Sequence, residues 1–427
     1  MSPEIISILV LVAIFVVATL LPINIGVMAF VAAFVVGSTV AGMDGETILV
    51  DGFPSELAVT LIGVTYLFAI ATNNGTVDWL VRIATWAVRG RLVALPWVMF
   101  LIAGTLTAFG AVSPAAVAII APVALGFAYR YGINPMLMGI MVVHGAQAGG
   151  FSPISIYGTI TNDIVEKSDL PGSPLTLFLA SFLFNVVIAV IGFFIFGGRQ
   201  LISRRTELHR ESEDRHAPDT ATDTVVSITP STYQAVTLAG LLGLAVATLV
   251  FELDVGLVAL TVAFALALMS PHEQKSAVSQ ISWPVVLLIA GVLTYVAVLE
   301  EIGTIDYVSN SVAGLGSVML ASLLLCYVGA VVSAFASSTA LLGAIIPLAV
   351  PFLLAGELGA VGVISALAVS STVVDVSPFS TNGALVLANA QEEDRDRVYK
   401  QLLIFGFAIV LIAPLVAWAT MIVPGWL

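Results

Sequence analysis

Two stretches decide how this sequence folds: Gly149-Gly150-Phe151-Ser152-Pro153-Ile154-Ser155 and Asp375-Val376-Ser377-Pro378-Phe379-Ser380-Thr381-Asn382-Gly383. Each places glycine, proline and hydroxyl side chains inside a chain otherwise made of long apolar runs. Residues of these types release backbone N–H and C=O groups from a helix ladder. In hydrocarbon such groups are tolerated only where they are buried in protein or line a wet cavity. The two stretches therefore read as breaks in two membrane helices, both turned toward one internal site.

The surroundings support a membrane setting. The chain of 427 residues is 59% hydrophobic and 10% charged, with mean hydropathy +1.09; soluble chains average about 25% charged residues. Runs such as Ile5–Leu21, Ile23–Ala41, Leu175–Phe196 and Leu402–Val423 are long enough to cross an apolar layer of about 30 Å as helices. The first run lacks a basic flank and a small-residue cleavage site, so it reads as a first span. The net charge of −13 describes the loops, and the single cysteine, Cys326, lies in an apolar run as an inert thiol.

Working outward from the breaks, Ser152-Pro153 recurs as Ser377-Pro378, and Ser113 with Pro122 recurs at the same offset as Ser338 with Pro347. Gly75-Thr76-Val77-Asp78 recurs as Gly303-Thr304-Ile305-Asp306 at a slightly larger offset. Pro22–Val27 resembles Glu252–Leu257, and Phe53-Pro54 matches Trp283-Pro284, both at an offset slightly larger again. The shared order and slow drift indicate a duplication. Each half reads as three spans (5–21, 23–42 and 57–73; 232–250, 254–270 and 284–300), a short arm, a hairpin with a polar tip (94–128; 317–354), a broken helix (135–166; 359–390) and a last span (175–198; 401–424). With each hairpin re-entrant, a half crosses five times, and an odd number inverts the second half. The predicted fold is an all-α polytopic membrane protein of two inverted-topology repeats, about ten transmembrane helices plus two hairpins, with domains 1–198 and 232–427 joined by a cytoplasmic linker, 199–231. Basic residues agree with this topology. With the linker inside, every one of the 14 Lys and Arg except Lys167 is inside as well, and both termini face outward. The first arm alternates Trp79, Ile83 and Trp86 with Asp78, Arg82, Thr85 and Arg89, the pattern of an interfacial helix, either a lever or a simple connector.

The hairpin tips, Ala111-Val112-Ser113-Pro114 and Ser337-Ser338-Thr339, join the breaks as candidate site segments. Half-helix N-termini favour an anion. Freed carbonyls and Ser, Thr or Asn oxygens suit a hard cation such as Na⁺.

Ser337-Ser338-Thr339, followed by Pro347, resembles the Ser-Asn-Thr hairpin signature of the divalent anion:sodium symporter (DASS) family of the ion transporter superfamily. The breaks resemble that family's paired broken-helix loops, and Gly150–Gly158 is similar to the MatC-type dicarboxylate (malonate) carriers. The resemblance implies an elevator-type homodimer in a bacterial inner membrane that moves a di- or tricarboxylate with Na⁺ or H⁺. It implies a substrate site of Ser113, Ser152, Pro153, Ser155, Ser338, Thr339, Ser380, Thr381 and Asn382. It implies a cation site of Ser113, Gly149, Gly150, Ser337, Ser338, Asp375 and Ser377. The first tip departs from the signature by lacking both Asn and Thr, and the second has Ser338 in place of Asn, so stoichiometry and substrate do not transfer.

No Lys or Arg lies in the four segments. A dianion held there has only helix N-termini, each worth roughly half a charge, and co-bound cations are the simplest neutralisation. Asp375, deep in a predicted span where ionisation costs at least about 2.5 kcal/mol, reads as a Na⁺ ligand or protonatable coupling group, or else as a helix cap. His144 and Gln147 read either as substrate or proton-handling groups or as interhelical hydrogen-bonding partners. Asn185 reads as a bond between helices, and Glu300 and Glu301 as a solvated helix end. A cation/proton antiporter or oxyanion transporter remains the alternative. An enzyme is disfavoured. Of His144, His209, His216 and His272, three lie in loops, none has metal-ligand spacing, and no phosphate-binding GxxxxGK[ST] loop occurs. No cofactor beyond the coupling ion and no nucleic-acid partner is expected; lipid and a small carboxylate are.

Overall fold

The computed structural model describes residues 2–21, 23–50, 52–87, 92–203, 229–304, 307, 318–334, 338–354 and 358–425. All regular structure among them is helical. The first half contains α1 (Pro3–Leu20), α2 (Ile25–Val36), α3 (Ser55–Asn73), α4 (Thr76–Ala87), α5 (Leu95–Ala108), α6 (Ser113–Tyr131), α7 (Pro135–Gly149), α8 (Ile156–Lys167) and α9 (Pro174–Ile195). The second contains α10 (Thr232–Phe251), α11 (Val255–Met269), α12 (Trp283–Glu301), α13 (Val318–Ser333), α14 (Ser338–Leu354), α15 (Ala360–Thr372), α16 (Thr381–Ala388) and α17 (Glu392–Met421). Six helices, α3, α6, α9, α10, α12 and α17, are long and apolar enough to cross a membrane, and several shorter apolar helices accompany them. The chain is thus built as a multi-pass membrane protein. The predicted linker is helical at Gly198–Ser203; residues 204–228, Ser337, Arg89, Ile305 and Asp306 lie outside the described residues.

Helices this uniformly apolar have no polar face to orient them, so small residues decide where they meet. A Cβ on Gly26 would lie 1.9 Å from Leu287 O, and one on Gly291 2.0 Å from Gly26 O, so α2 and α12 cross backbone to backbone. Likewise a Cβ on Gly63 would lie 2.6 Å from Gly256 O, and one on Gly256 2.6 Å from Thr60 Cα, where α3 crosses α11. Each crossing joins one helix from the first half to one from the second. Neither half completes its glycine-lined contacts alone.

The hairpins pack against the broken helices. In the first, α5 reverses at 109–112 into α6 and lies along α7. There a Cβ on Gly145 would meet Phe100 O at 2.3 Å, and one on Gly149 would meet Gly104 O at 1.9 Å. In the second, α13 lies along α15, where a Cβ on Gly329 would meet Ser371 Oγ at 2.6 Å. The first broken helix, α7/α8, is interrupted between Gly149 and Ile156 as expected; the second, α15/α16, is interrupted between Thr372 and Thr381, so that Thr381, Asn382 and Gly383 of the expected break already belong to α16. α7 is buried along its whole length and α15 at every residue but Val361.

Candidate functional site

Each break is built by one serine and one glycine. Ser155 caps α8, its hydroxyl accepting from Gly158 N at 3.3 Å and donating to Ser152 O at 2.7 Å and to Gly150 O. Ser380 caps α16 in the same way, accepting from Gly383 N at 3.3 Å and donating to Ser377 O at 2.7 Å. The backbone angles agree, φ −87° and ψ 164° at Ser155 against −80° and 162° at Ser380. Glycine is required three residues after each cap because a Cβ there would lie 2.0 Å from Ser152 O or 1.9 Å from Ser377 O. The caps also satisfy N–H groups that would otherwise be free to hold an anion.

Between the breaks lies a polar cluster drawn from both halves. Asp375, 3% exposed, takes two amide bonds on one carboxylate oxygen: Gln147 Nε2 donates to Oδ2 at 3.0 Å and Asn382 Nδ2 donates to the same atom at 2.9 Å. Asn382 Nδ2 also donates to Ser113 Oγ at 2.8 Å, which ties the first hairpin tip to the second break. The hydroxyls of Ser380 and Ser338 lie close to the carboxylate, so the second tip arrives as well. Tyr157 completes the cluster, its hydroxyl close to Thr339, Ser113 and Gln147. Its ring packs on Phe151 at 5.5 Å and passes so close to Gly150 that a Cβ there would meet Tyr157 Cδ2 at 2.9 Å. Two oxygens of the cluster, Gln147 Oε1 and Asn382 Oδ1, are buried without a hydrogen-bond partner among the described residues. Such a group costs about 1–3 kcal/mol when left unpaired.

Of the residues singled out in sequence, the structure brings Ser113, Ser338, Thr339, Asp375, Ser380 and Asn382 to this cluster. Ser152, Pro153 and Ser155 shape the first turn, and Gly150 makes room for Tyr157. Gly149 packs on Gly104 and Thr107. Ser377 is buried against Gly406 of α17, whose Cβ would lie 3.1 Å from Ser377 Cα. Thr381 is exposed and stands apart. His144 turns the other way. Asn185 Nδ2 donates to Ser181 O at 2.9 Å, leaving Asn185 Oδ1 to accept from His144 Nδ1 at 2.9 Å, so this pair bonds α7 to α9. Tyr157 was not singled out. It stands where Asn382 stands in the other half, at the offset that relates Ser152 to Ser377, and aligning the halves position by position points to it.

A cleft of about 130 Å³ runs beside the first tip, between α3 and the hairpin, lined by Thr65, Gly110, Val112, Ala115 and Ser282 among others. A larger cavity, about 480 Å³, lies elsewhere, among Tyr129, Asn134, Gln200 and Arg397, and includes none of the cluster side chains. Among the described residues no three His, Cys, Asp or Glu side chains gather as a metal-binding group.

Residues 1–150, which run from α1 to the first break, match the family model of the dicarboxylate carrier protein MatC N-terminus. No curated protein matches the chain. Among solved structures the chain is similar to the YdaH transporter of Alcanivorax borkumensis, described as having an unusual topology. The TM-score is 0.54 at 16% identity, covering 88% of this chain and 89% of that one. At that identity the likeness is one of fold, and the fold is one that a transporter uses.

Proposed function

We propose that this chain is a secondary active transporter of a small dicarboxylate, such as malonate or a C4 acid, or of a tricarboxylate, coupled to Na⁺ or H⁺. In this reading two inverted repeats, 1–198 and 232–427, surround the cluster. The hairpins and broken helices carry it across the membrane as an elevator, and the chain works as a homodimer in a bacterial inner membrane with both termini outside. The observation that carries the reading is the meeting of both breaks and both hairpin tips around one buried carboxylate with no Lys or Arg in any of the four segments. The MatC match over residues 1–150 supports a dicarboxylate as the cargo. A dianion beside Asp375 is tolerable only when cations neutralise the pair, so substrate and ion are expected to travel together.

Purified protein in liposomes, offered a panel of labelled carboxylates with and without Na⁺ and pH gradients, tests this. Uptake of one dicarboxylate, driven by one of the two gradients, is the expected result. Asp375→Asn should uncouple or abolish it, and a variant with the wild-type cation and pH profile removes Asp375 from coupling. The buried carboxylate keeps a second reading open, a cation/proton antiporter or oxyanion carrier. Na⁺/H⁺ exchange without carboxylate flux in the same liposomes would select it.

A further inference from the structure

The larger cavity, about 480 Å³, has no part in the cluster described above. Its size is that of an ordinary ligand pocket, about 300–1,000 Å³. It lies where the ends of four helices meet: the close of α6, the start of α7, the close of α9 and the start of α17. That end of the bundle is basic. Arg130, Arg199, Arg395 and Lys400 are exposed there, and the positive-inside rule assigns such an end to the cytoplasmic leaflet. The lining mixes polar and apolar side chains. Ile195 is one of them, and it continues the exposed row Leu183, Val187 and Ile191 along α9. The cavity thus joins a lipid-facing helix surface to a charged recess.

Two opposite charges line the recess, Asp394 and Arg397, three residues apart on α17. Among the described residues neither forms an ion pair, with the other or with a third group. The neighbouring arginines are placed elsewhere. Arg130 lies over the Tyr131 ring at 5.5 Å and Arg199 over the Phe194 ring at 5.9 Å, and neither lines the cavity. Two neutral donors complete the set. Tyr129 Oη accepts from Gln391 N at 2.8 Å and gives its own proton to no described residue. Asn134 Oδ1 accepts from Met136 N at 3.0 Å as the cap of α7, which leaves its Nδ2 over. One unpaired base with two neutral donors fits a phosphodiester, and one unpaired acid fits a protonated amine. An anion with no amine would face Asp394 without compensation.

We propose that this cavity seats the headgroup of a zwitterionic phospholipid bearing a primary ammonium, its phosphate toward Arg397, Tyr129 and Asn134, its ammonium toward Asp394, and an acyl chain along the Ile195 row of α9. Basic recesses between membrane helices on the cytoplasmic side hold lipid headgroups, and the acid makes this one selective among them. Asp394 also has a purely structural use, since an acid in the first turn of α17 suits the helix dipole. That use alone predicts a change in stability without a change in lipid preference. Neither the cavity nor its charges depend on the transport reading.

The test follows thermal unfolding of the purified, delipidated full-length protein in detergent with added lipid. Phosphatidylethanolamine is compared with phosphatidylcholine, which keeps both charges and loses every ammonium N–H, and with phosphatidylglycerol, which lacks the amine. Wild type is expected to gain stability from phosphatidylethanolamine along a single-site curve. Its apparent affinity for the other two should be about tenfold weaker, as for one lost charge-assisted bond. Asp394→Asn should level the three lipids, and Arg397→Gln should weaken all three. Arg130→Gln, outside the cavity, should keep the wild-type order. Native mass spectrometry gives a second readout that does not depend on variant stability: phosphatidylethanolamine retained by wild type after detergent exchange and lost from both cavity variants. Equal stabilisation of wild type by all three lipids overturns the proposal, as does a preference for phosphatidylglycerol. Glycerophosphoethanolamine that binds as tightly as the intact lipid overturns the lipid and leaves a soluble phosphoester as the ligand. Asp394→Asn that lowers stability yet keeps the wild-type lipid order confines Asp394 to the helix end and overturns its role in the site.

Discussion

The two breaks share a backbone and differ in chemistry. Ser155 and Ser380 cap their half-helices with nearly equal angles, Gly158 and Gly383 press on the carbonyls of Ser152 and Ser377, and the turn bonds of the first break recur in the second. Yet where the first break has Gly150 the second has Asp375, and where the first has Tyr157 the second has Asn382. The two breaks use the same device for unwinding a helix safely inside a membrane protein. Only the second break carries a charge, and the first side contributes the phenol and, through Gln147, an amide that faces it.

The shared part breaks with the largest effect. Gly158→Ala and Gly383→Ala each drive a Cβ into a backbone oxygen within about 2 Å, and backbone cannot move aside as a flexible side chain can. We expect each to cost about 3 kcal/mol or more, seen as loss of monodisperse protein after purification. A strong effect at one glycine and none at the other would end the claim that the two turns are the same device.

The differing part comes next. Asn382→Leu leaves both Asp375 and Ser113 short of a partner, with an expected loss of about 2–3 kcal/mol. Tyr157→Phe removes one hydroxyl from neighbours that can pair with one another, at about 1 kcal/mol. Thermal unfolding of the two variants side by side measures the gap. Equal losses would mean that the second break is no more tightly tied than the first. The caps, Ser155→Ala and Ser380→Ala, should each cost about 1 kcal/mol. Because the Ser380 hydroxyl also lies close to Asp375, Ser380→Ala should shift the cation or pH dependence expected of transport, whereas Ser155→Ala should leave it alone.

The shared turns were legible in sequence and much of the rest was not. Gly, Ser and Pro inside apolar runs announce an interruption whatever surrounds them, so the existence of both breaks follows from composition, although the second opens after Thr372 and closes at Thr381, ahead of the Asp375–Gly383 stretch expected. Asp375 stands out for the same reason, as a charge where none is expected. Rotation of the helices about their axes is another matter. α7 and α15 are buried on nearly every side, with no solvent-facing polar stripe to say which face looks inward. The sequence therefore could not say that Gln147 points at Asp375 while His144, one turn away, points at Asn185, nor that Ser377 packs on α17 while Ser380 serves the cluster. Close contact of Gly145 and Gly149 with α5, and of Gly329 on α13 with Ser371, fixes these rotations, and it becomes visible only when the helices are packed.

The smallest effect concerns how the second half-helices end. α8 runs 12 residues and closes on Lys167, which bonds Asp163 one turn back at 2.9 Å and approaches Glu56, near the start of α3, at 3.9 Å. α16 runs 8 residues and ends on Asn389, whose Nδ2 donates to Leu385 O at 2.8 Å. The ion pairs look like a latch between the first broken helix and α3. However, the Lys167 side chain is 49% exposed and that of Glu56 65%, so water and salt screen the pair and ordering two long side chains offsets much of the attraction. The contact to Asp163 has favourable i,i+4 geometry with the acid toward the N-terminus, worth about 0.3–0.5 kcal/mol. Lys167→Ala should therefore lower stability by no more than about 0.5 kcal/mol, and the difference from wild type should vanish in high salt. A loss as large as that of a cap, persisting in high salt, would show that this end of the first broken helix is held by charge and would make the two broken helices less alike than their turns.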